Sequence, residues 1–266
     1  MPLAGVVSVV NQKGGVAKTT TVANLACALG LRGRRVLAVD CDPQASLTFY
    51  LGQDERELER RQATLHHALL GGKDLASIVI PADPEVAGSP ALVPSSIMLA
   101  RADAELISEP GSSWVLREKL APLLPDYDVV LIDCPPTLTL LTVNALAAAG
   151  HVLIPVKTDL LSTLGIPQLL DTIGKVQRRA NPGLKILGIL PTLFNPGYGH
   201  DAEVLDEIRA GFGMEIRVFE PVRRSTGFDR AVGSGRPLVS LTPSSPGAEA
   251  YRRLAETVEG LLDAAG

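Results

Sequence analysis

Two lysines, two glycines and two threonines fall within the run Lys13-Gly14-Gly15-Val16-Ala17-Lys18-Thr19-Thr20. Such a run can hold a polyphosphate. Backbone N–H groups of a glycine turn point inward at an anion. A helix that starts there adds about half a positive charge at its first turn. Lys18 is then placed to reach the terminal phosphates, and the Thr19 hydroxyl to ligate Mg²⁺. The order G-x-x-x-x-G-K-[ST] is not met, because Gln12 and Ala17 occupy its two glycine positions. If Ala17 must adopt φ > 0, its methyl costs roughly 1 kcal/mol relative to glycine. If its φ is ordinary, the cost is small.

Three aspartates complete the chemistry. Asp40 and Asp42 follow the apolar run Val36–Val39, and Asp133 ends the run Val129–Ile132. Carboxylates at the carboxyl ends of parallel strands sit where open α/β sheets bind ligands. Near a phosphate site they would repel the substrate unless a divalent ion and lysines intervene. Asp133 alone reads equally well as a turn aspartate. Joined to the lysine-rich loop, it reads as the carboxylate that holds Mg²⁺.

Together these segments resemble the ParA/Soj-type partition ATPases of the MinD/ParA superfamily. Lys13-Gly14-Gly15-x-Ala17-Lys18-Thr19-Thr20 is similar to their "deviant Walker A" at every fixed position except Ala17. Asp40-Cys41-Asp42-Pro43-Gln44 and Asp133-Cys134-Pro135-Pro136 match as well. The likeness extends through Thr139–Ala149, Pro155–Asp159, Leu187–Asn195, Pro221–Arg224, Ala231–Pro237 and Thr242–Ala255. It implies ATP and Mg²⁺ as cofactors, with Gly14 to Thr20 around the phosphates. It implies that Lys13 reaches across a homodimer to the partner's phosphates. Lys18 and Asp42 would complete the catalytic set, Asp42 orienting or deprotonating the attacking water and Asp40 lying behind it. Thr19, Asp42 and Asp133 would share the metal. Asn195, Pro221 and Arg223 would border the adenine. Many relatives carry Asp where this chain has Asn195. The chain has no long N-terminal helix-turn-helix extension, so operator-specific repression is not expected.

The elements that must position these residues follow from periodicity. Aliphatic runs without polar alternation, Gly5–Val10, Val36–Val39, Val129–Ile132, Val152–Val156 and Ile186–Leu190, read as strands covered on both faces. Ile78–Ile80 and Leu92–Val93 are weaker candidates. Thr20–Leu31, Leu160–Arg179, Ala202–Phe212 and Ser245–Ala264 have helical spacing. Asp54–Arg61 reads as a solvated helical face, and Pro81–Pro90 as a surface loop. The expectation is one α/β domain of the P-loop NTPase type over residues 1–266. Its mainly parallel, twisted sheet would have about seven to eight strands, with helices on both faces.

Composition narrows the partners. Apolar residues make up 46% and aromatics only 4%, which suits an aliphatic core and not a base-stacking platform. The three cysteines, Cys27, Cys41 and Cys134, form no CxxC pair, so neither a zinc ribbon nor a disulfide framework is expected. No secretory signal and no apolar run of roughly 20 residues is visible, which reads as a cytoplasmic, nucleoid-associated protein without a membrane partner.

The net charge of −4 excludes a strongly basic nucleic-acid binder. The resemblance nevertheless implies an ATP-state dimer that holds double-stranded DNA non-specifically and is released when a ParB-like partner stimulates hydrolysis. Candidate DNA contacts are Lys175, Arg178, Arg179, Arg209, Arg217, Arg223, Arg224, Arg230, Arg252 and Arg253, in a half of the chain that is neutral overall. Two other readings stand beside this one. A MinD-like membrane switch needs a basic amphipathic C-terminal helix, and the end here is acidic. A metabolic or redox enzyme on the same fold would need its own substrate residues; no cysteine pair is free for a cluster.

Overall fold

The computed structural model describes residues 5–107 and 110–264. The ends of the expected domain, 1–4 and 265–266, lie outside the described residues. Six strands form one sheet: β1 (Val6–Val9), β2 (Val36–Asp40), β3 (Ala91–Val93), β4 (Val129–Asp133), β5 (His151–Lys157) and β6 (Lys185–Thr192). Their order is β3-β2-β4-β1-β5-β6, and every pairing is parallel.

The expected seven to eight strands are therefore corrected to six. The run Ile78–Ile80 is the discrepancy. Leu75–Ile78 winds into a 3₁₀ turn, and only Ile80 bridges the sheet, antiparallel to Leu92. On the far edge, the chain at 217–224 runs beside β6 and the residues just after it, bonding at intervals: Ile189 exchanges bonds with Arg217 and Phe219, and Phe194 with Val222 and Arg224. Pro221 has no N–H to give to a ladder, so this stretch does not become a strand.

Alternate strand residues face opposite layers. Val6, Leu37, Val39, Val130, Ile132, Val152 and Ile154 pack on one side, beneath the helices Leu65–Leu69, Leu99–Leu106, Leu140–Ala148 and Ile166–Arg179. Val7, Val9, Ala38, Leu131 and Leu153 pack on the other, beneath Lys18–Leu31 and Pro246–Asp263. A sheet covered on both faces needs apolar residues at every position, which is why these strands lack polar alternation.

The single helix expected over Leu160–Arg179 is two. Leu160–Thr163 stops, and Ile166–Arg179 begins after Gly165 with Pro167 in its first turn. Proline is tolerated in a first turn, but Pro167 has no N–H for the Thr163 carbonyl four residues back, so one unbroken helix cannot run through it. The other helices start close to expectation: Lys18–Leu31, Gly199–Phe212, and Pro246–Asp263, where the Ser245 side chain accepts from the Ala248 N–H. Asp54–Arg61 contains the helix Glu55–Arg60, capped by Asp54. The loop Pro81–Pro90 carries no regular element and docks on the first helix; a Cβ at Gly30 would lie 2.4 Å from the Gly88 carbonyl oxygen.

Candidate nucleotide-binding site

Strands β2, β4 and β1 are neighbours, and the loops that leave their carboxyl ends carry the candidate residues. Register makes the alignment close: Asp40 pairs with Asp133, and Asp133 with Val9. The two aspartates and the start of the phosphate loop are thus level at the carboxyl ends of three interior strands.

The loop itself is a turn into a helix. Gly15 has φ 70° and Ala17 has φ 64°, and the helix begins at Lys18. Ala17 is therefore in the left-handed region, which resolves the alternative left open by the sequence. Its methyl carries the strain of about 1 kcal/mol that glycine would avoid. Val16 is buried, and its carbonyl accepts from the Thr192 hydroxyl at 3.1 Å, which ties the loop to the end of β6.

Lys18 is buried and donates to the Lys13 carbonyl at 3.2 Å. Burial lowers its pKa, against the opposing pull of Asp133, Cys134 and Asp42. Thr19 donates its hydroxyl to Asp133 Oδ2 at 2.7 Å. Asp133 Oδ1 is buried with no hydrogen-bond partner. Burial pushes the Asp133 carboxyl well up, and the nearby Asp40 adds to the shift. An orphaned carboxylate oxygen beside a hydroxyl at the start of a helix is a hard-oxygen donor set that fits Mg²⁺. Thr19 and Asp133 would hold the ion, which would supply charge neutralisation at the phosphates.

Asp40 is fully buried behind this pair. It accepts from the Thr48 N–H, the Thr48 hydroxyl and the Asp42 N–H. Burial raises its pKa to about 7 despite those donors. Asp42 lies nearer the opening and accepts from the Gln44 N–H at 2.9 Å. Its own carbonyl is held by the Ser95 hydroxyl.

Lys13 does not extend outward. Its Nζ meets Asp159 Oδ1 at 2.9 Å and Ser162 Oγ at 2.9 Å. Lys157 takes the other Asp159 oxygen. Burial works against the charged form of Asp159, but the donors Lys13, Lys157 and Ser162 outweigh it and hold the carboxyl well below its usual range. Spacing alone gave no sign of Asp159 or Ser162. Both follow β5, the neighbour of β1 on the side away from β4.

Two hollows flank the loop. One, of about 480 Å³, is bounded by Gly14, Lys18, Thr19, Asp42 and Pro136. The other, of about 290 Å³, shares Gly15, Ala17 and Thr20 with it and opens toward Leu193, Arg223, Arg224 and Phe228. Of the adenine candidates, Arg223 lines the second hollow. Asn195 and Pro221 line neither. Asn195 instead caps a turn by accepting from the Gly197 N–H, and Pro221 borders a separate hollow with Phe194 and Glu220. Sequence reasoning missed Leu193, whose φ of 55° turns the chain at the mouth of the second hollow.

A family model described as an AAA domain matches residues 4–186. Chromosome-partitioning ATPase Soj of Thermus thermophilus is 39% identical over 252 residues, 95% of this chain and 94% of that protein. Sporulation initiation inhibitor protein Soj of Bacillus subtilis is 35% identical over 254 residues, 95% and 97% of the two chains. The chain belongs to the MinD/ParA superfamily of P-loop ATPases, on its ParA/Soj branch. A solved structure at 40% identity and TM-score 0.81 covers 94% of this chain and 92% of its own. It bears the name cobyrinic acid a,c-diamide synthase, comes from Mycobacterium smegmatis, and was crystallised with ADP and magnesium and with an ATP analogue and magnesium. ATP and Mg²⁺ are accordingly the cofactors of this ParA-type ATPase.

The DNA candidates of this ATPase are scattered. Lys175 pairs with Asp171, Arg209 with Asp206 and Glu220, and both Arg252 and Arg253 with Glu249. Arg223 and Arg224 line the second hollow. The remaining four, Arg178, Arg179, Arg217 and Arg230, form no ion pair among the described residues.

Proposed function

We propose that this chain is a single-domain partition switch that works as a homodimer. ATP closes two copies across their phosphate loops, each Lys13 leaving Asp159 for the other copy's phosphates. Gly14 to Thr20 and Lys18 cradle the phosphates, Thr19 and Asp133 with Asp42 hold Mg²⁺, and Asp42 positions the attacking water. The adenine enters the hollow lined by Arg223. The closed dimer binds duplex DNA without sequence preference. A ParB-like partner stimulates hydrolysis and releases it, in the cytoplasm at the nucleoid, for chromosome or plasmid segregation.

The observation that carries this reading is the setting of Lys13. It is half-buried at the loop rim, held by the N-terminus of the helix Leu160–Thr163. Beside it Leu160, Leu161 and Leu164 are 49%, 73% and 68% exposed, an apolar rim that a second copy would cover. An ion pair this accessible is worth at most about 1 kcal/mol, so a partner's phosphates can draw the lysine away.

Gel filtration with light scattering tests it. With ATP the wild type runs as a dimer and retains a short duplex; with ADP it does neither. Lys13→Ala binds ATP but stays monomeric and releases DNA. Equal retention in ADP and ATP would sink the proposal.

The Mycobacterium smegmatis neighbour favours a second reading, an ATP-dependent amide synthase. Amide nitrogen drawn from glutamine requires a reactive thiolate. Cys27, Cys41 and Cys134 are all buried, with thiols pushed up, Cys27 to about 12. The membrane reading meets a different obstacle. No helix of the described residues is long and apolar enough to cross a membrane. The apolar face of Pro246–Asp263, with Tyr251, Leu254, Val258 and Leu262, is packed against the core and not free for lipid.

A further inference from the structure

The acidic-basic helix Glu55–Arg60 turns one carboxylate inward, toward the short helix Leu65–Leu69. Glu59, His66 and His67 each offer one ligand atom there, and the three atoms lie within 4.8 Å of one another. Glu59 Oε1 is 3.4 Å from His67 Nε2 and 3.9 Å from His66 Nδ1. All three side chains are half-buried.

The hydrogen bonds around this cluster can be arranged in two ways. Glu59 Oε2 accepts from the Thr64 hydroxyl at 3.0 Å and from the Ser96 hydroxyl at 2.5 Å. A hydroxyl has one proton to give. With that proton on Glu59, Thr64 accepts from His67 Nδ1 at 2.9 Å. The neutral His67 ring then carries its hydrogen on Nδ1, and its Nε2 lone pair faces a carboxylate oxygen. His66 Nδ1 is buried and makes no hydrogen bond. In that arrangement the electron pairs of Glu59 and His67 face the buried, unpartnered His66 Nδ1, and a cation satisfies all three; with the Thr64 proton on His67 Nδ1 instead, His66 Nδ1 is still left without a partner.

The geometry points to a second metal site, built from Glu59, His66 and His67 and selective for a zinc-class divalent ion. Two imidazoles with one carboxylate suit zinc rather than magnesium or calcium, which prefer oxygen donors. Tetrahedral zinc places its ligand atoms about 3.3 Å apart. The separations here, 3.4 Å and 3.9 Å from Glu59 Oε1 and within 4.8 Å throughout, start at that distance and extend above it. Partial exposure leaves an entry path and a fourth position for water. Thr64 and Ser96 orient the ligands, the usual task of outer partners at such sites. The adjacent Ser95 holds the Asp42 carbonyl with its hydroxyl and donates its N–H to Thr48 Oγ1, so the site adjoins the loop that carries Asp42.

The test uses the untagged full chain, stripped with chelator and kept in excess Mg²⁺. Co²⁺ is titrated in and read by visible absorption. One equivalent should give the intense band of a tetrahedral nitrogen–oxygen site, without a thiolate charge-transfer band, and Zn²⁺ should displace it. Glu59→Gln and His67→Gln should each weaken Zn²⁺ binding by more than about tenfold, and Thr64→Val by about tenfold with all ligands retained. His200→Gln, outside the cluster, should change nothing. If His67→Gln fails to fold by circular dichroism, Glu59→Gln and Thr64→Val decide. Absence of the band at stoichiometric Co²⁺, as expected of an imidazolium–carboxylate pair, overturns the proposal. So does a band that persists undiminished in Glu59→Gln.

Discussion

Ala17 and Asp42 show how single residues set this ATPase. At Ala17 the αL conformation is enforced by the turn from β1 into the helix, and the chain accepts a methyl where the usual loop has glycine. Ala17→Gly should raise stability, by no more than about 1 kcal/mol once glycine's extra backbone entropy is subtracted. Chemical denaturation measures it; a net loss would mean that the strain is not stored there. Asp42 is proposed to act on water and not on assembly. Asp42→Ala should keep the ATP-state dimer while phosphate release falls by at least about a hundredfold, the usual worth of a positioned base. Unchanged release would remove Asp42 from that role. The loop was legible in contiguous residues, because its amides, lysine and hydroxyl lie within one turn, whereas the role of Asp42 came from the resemblance to partition ATPases. The αL angle at Ala17 was not legible, since it depends on how the loop closes against Thr192.

At the scale of elements, the buried strands were legible because both sheet faces are covered, which leaves an uninterrupted aliphatic signature. Ile78–Ile80 carries the same signature without being a strand. Only Ile78 of it is buried, as the last residue of a 3₁₀ turn, and Ile80 makes a single antiparallel bridge; an aliphatic run alone does not distinguish this from a strand. The last helix is fixed to the first by a charge latch. Arg32 and Arg34 both bond Glu259, with further pairs to Glu256 and Asp263. The hydrogen bonds from Arg34, with those from Arg32, hold the Glu259 carboxyl below its usual range. A depressed carboxylate contributes stability above its unfolded pKa, about 4.3, and loses it as the pH falls through the folded value. Glu259→Gln should therefore cost about 0.5–1 kcal/mol at neutral pH. The difference from wild type should vanish in acid. Thermal melts across pH would show this, and a difference constant down to low pH would refute the latch.

For the whole molecule, a chain of net charge −4 must concentrate its cations to hold DNA. Arg178 and Arg179 end one helix and pair with no carboxylate among the described residues, and a dimer doubles them. Retention of duplex DNA with ATP should fall steeply with salt. Replacing both arginines with alanine should flatten that slope by close to one unit for each phosphate no longer neutralised. An unchanged slope would move the interface elsewhere. The sequence by itself determined the residues of the phosphate loop, the apolar runs that lead into the three aspartates and the doubly covered parallel sheet, because each is written in contiguous residues or in a short period. Only the tertiary structure decided that Asp40, Asp133 and the loop lie level on adjacent strands. It alone paired Lys13 with Asp159 and turned Glu59 toward two histidines. Those contacts join segments that the chain itself keeps apart, and their geometry is set by strand order and helix packing, which no local pattern encodes.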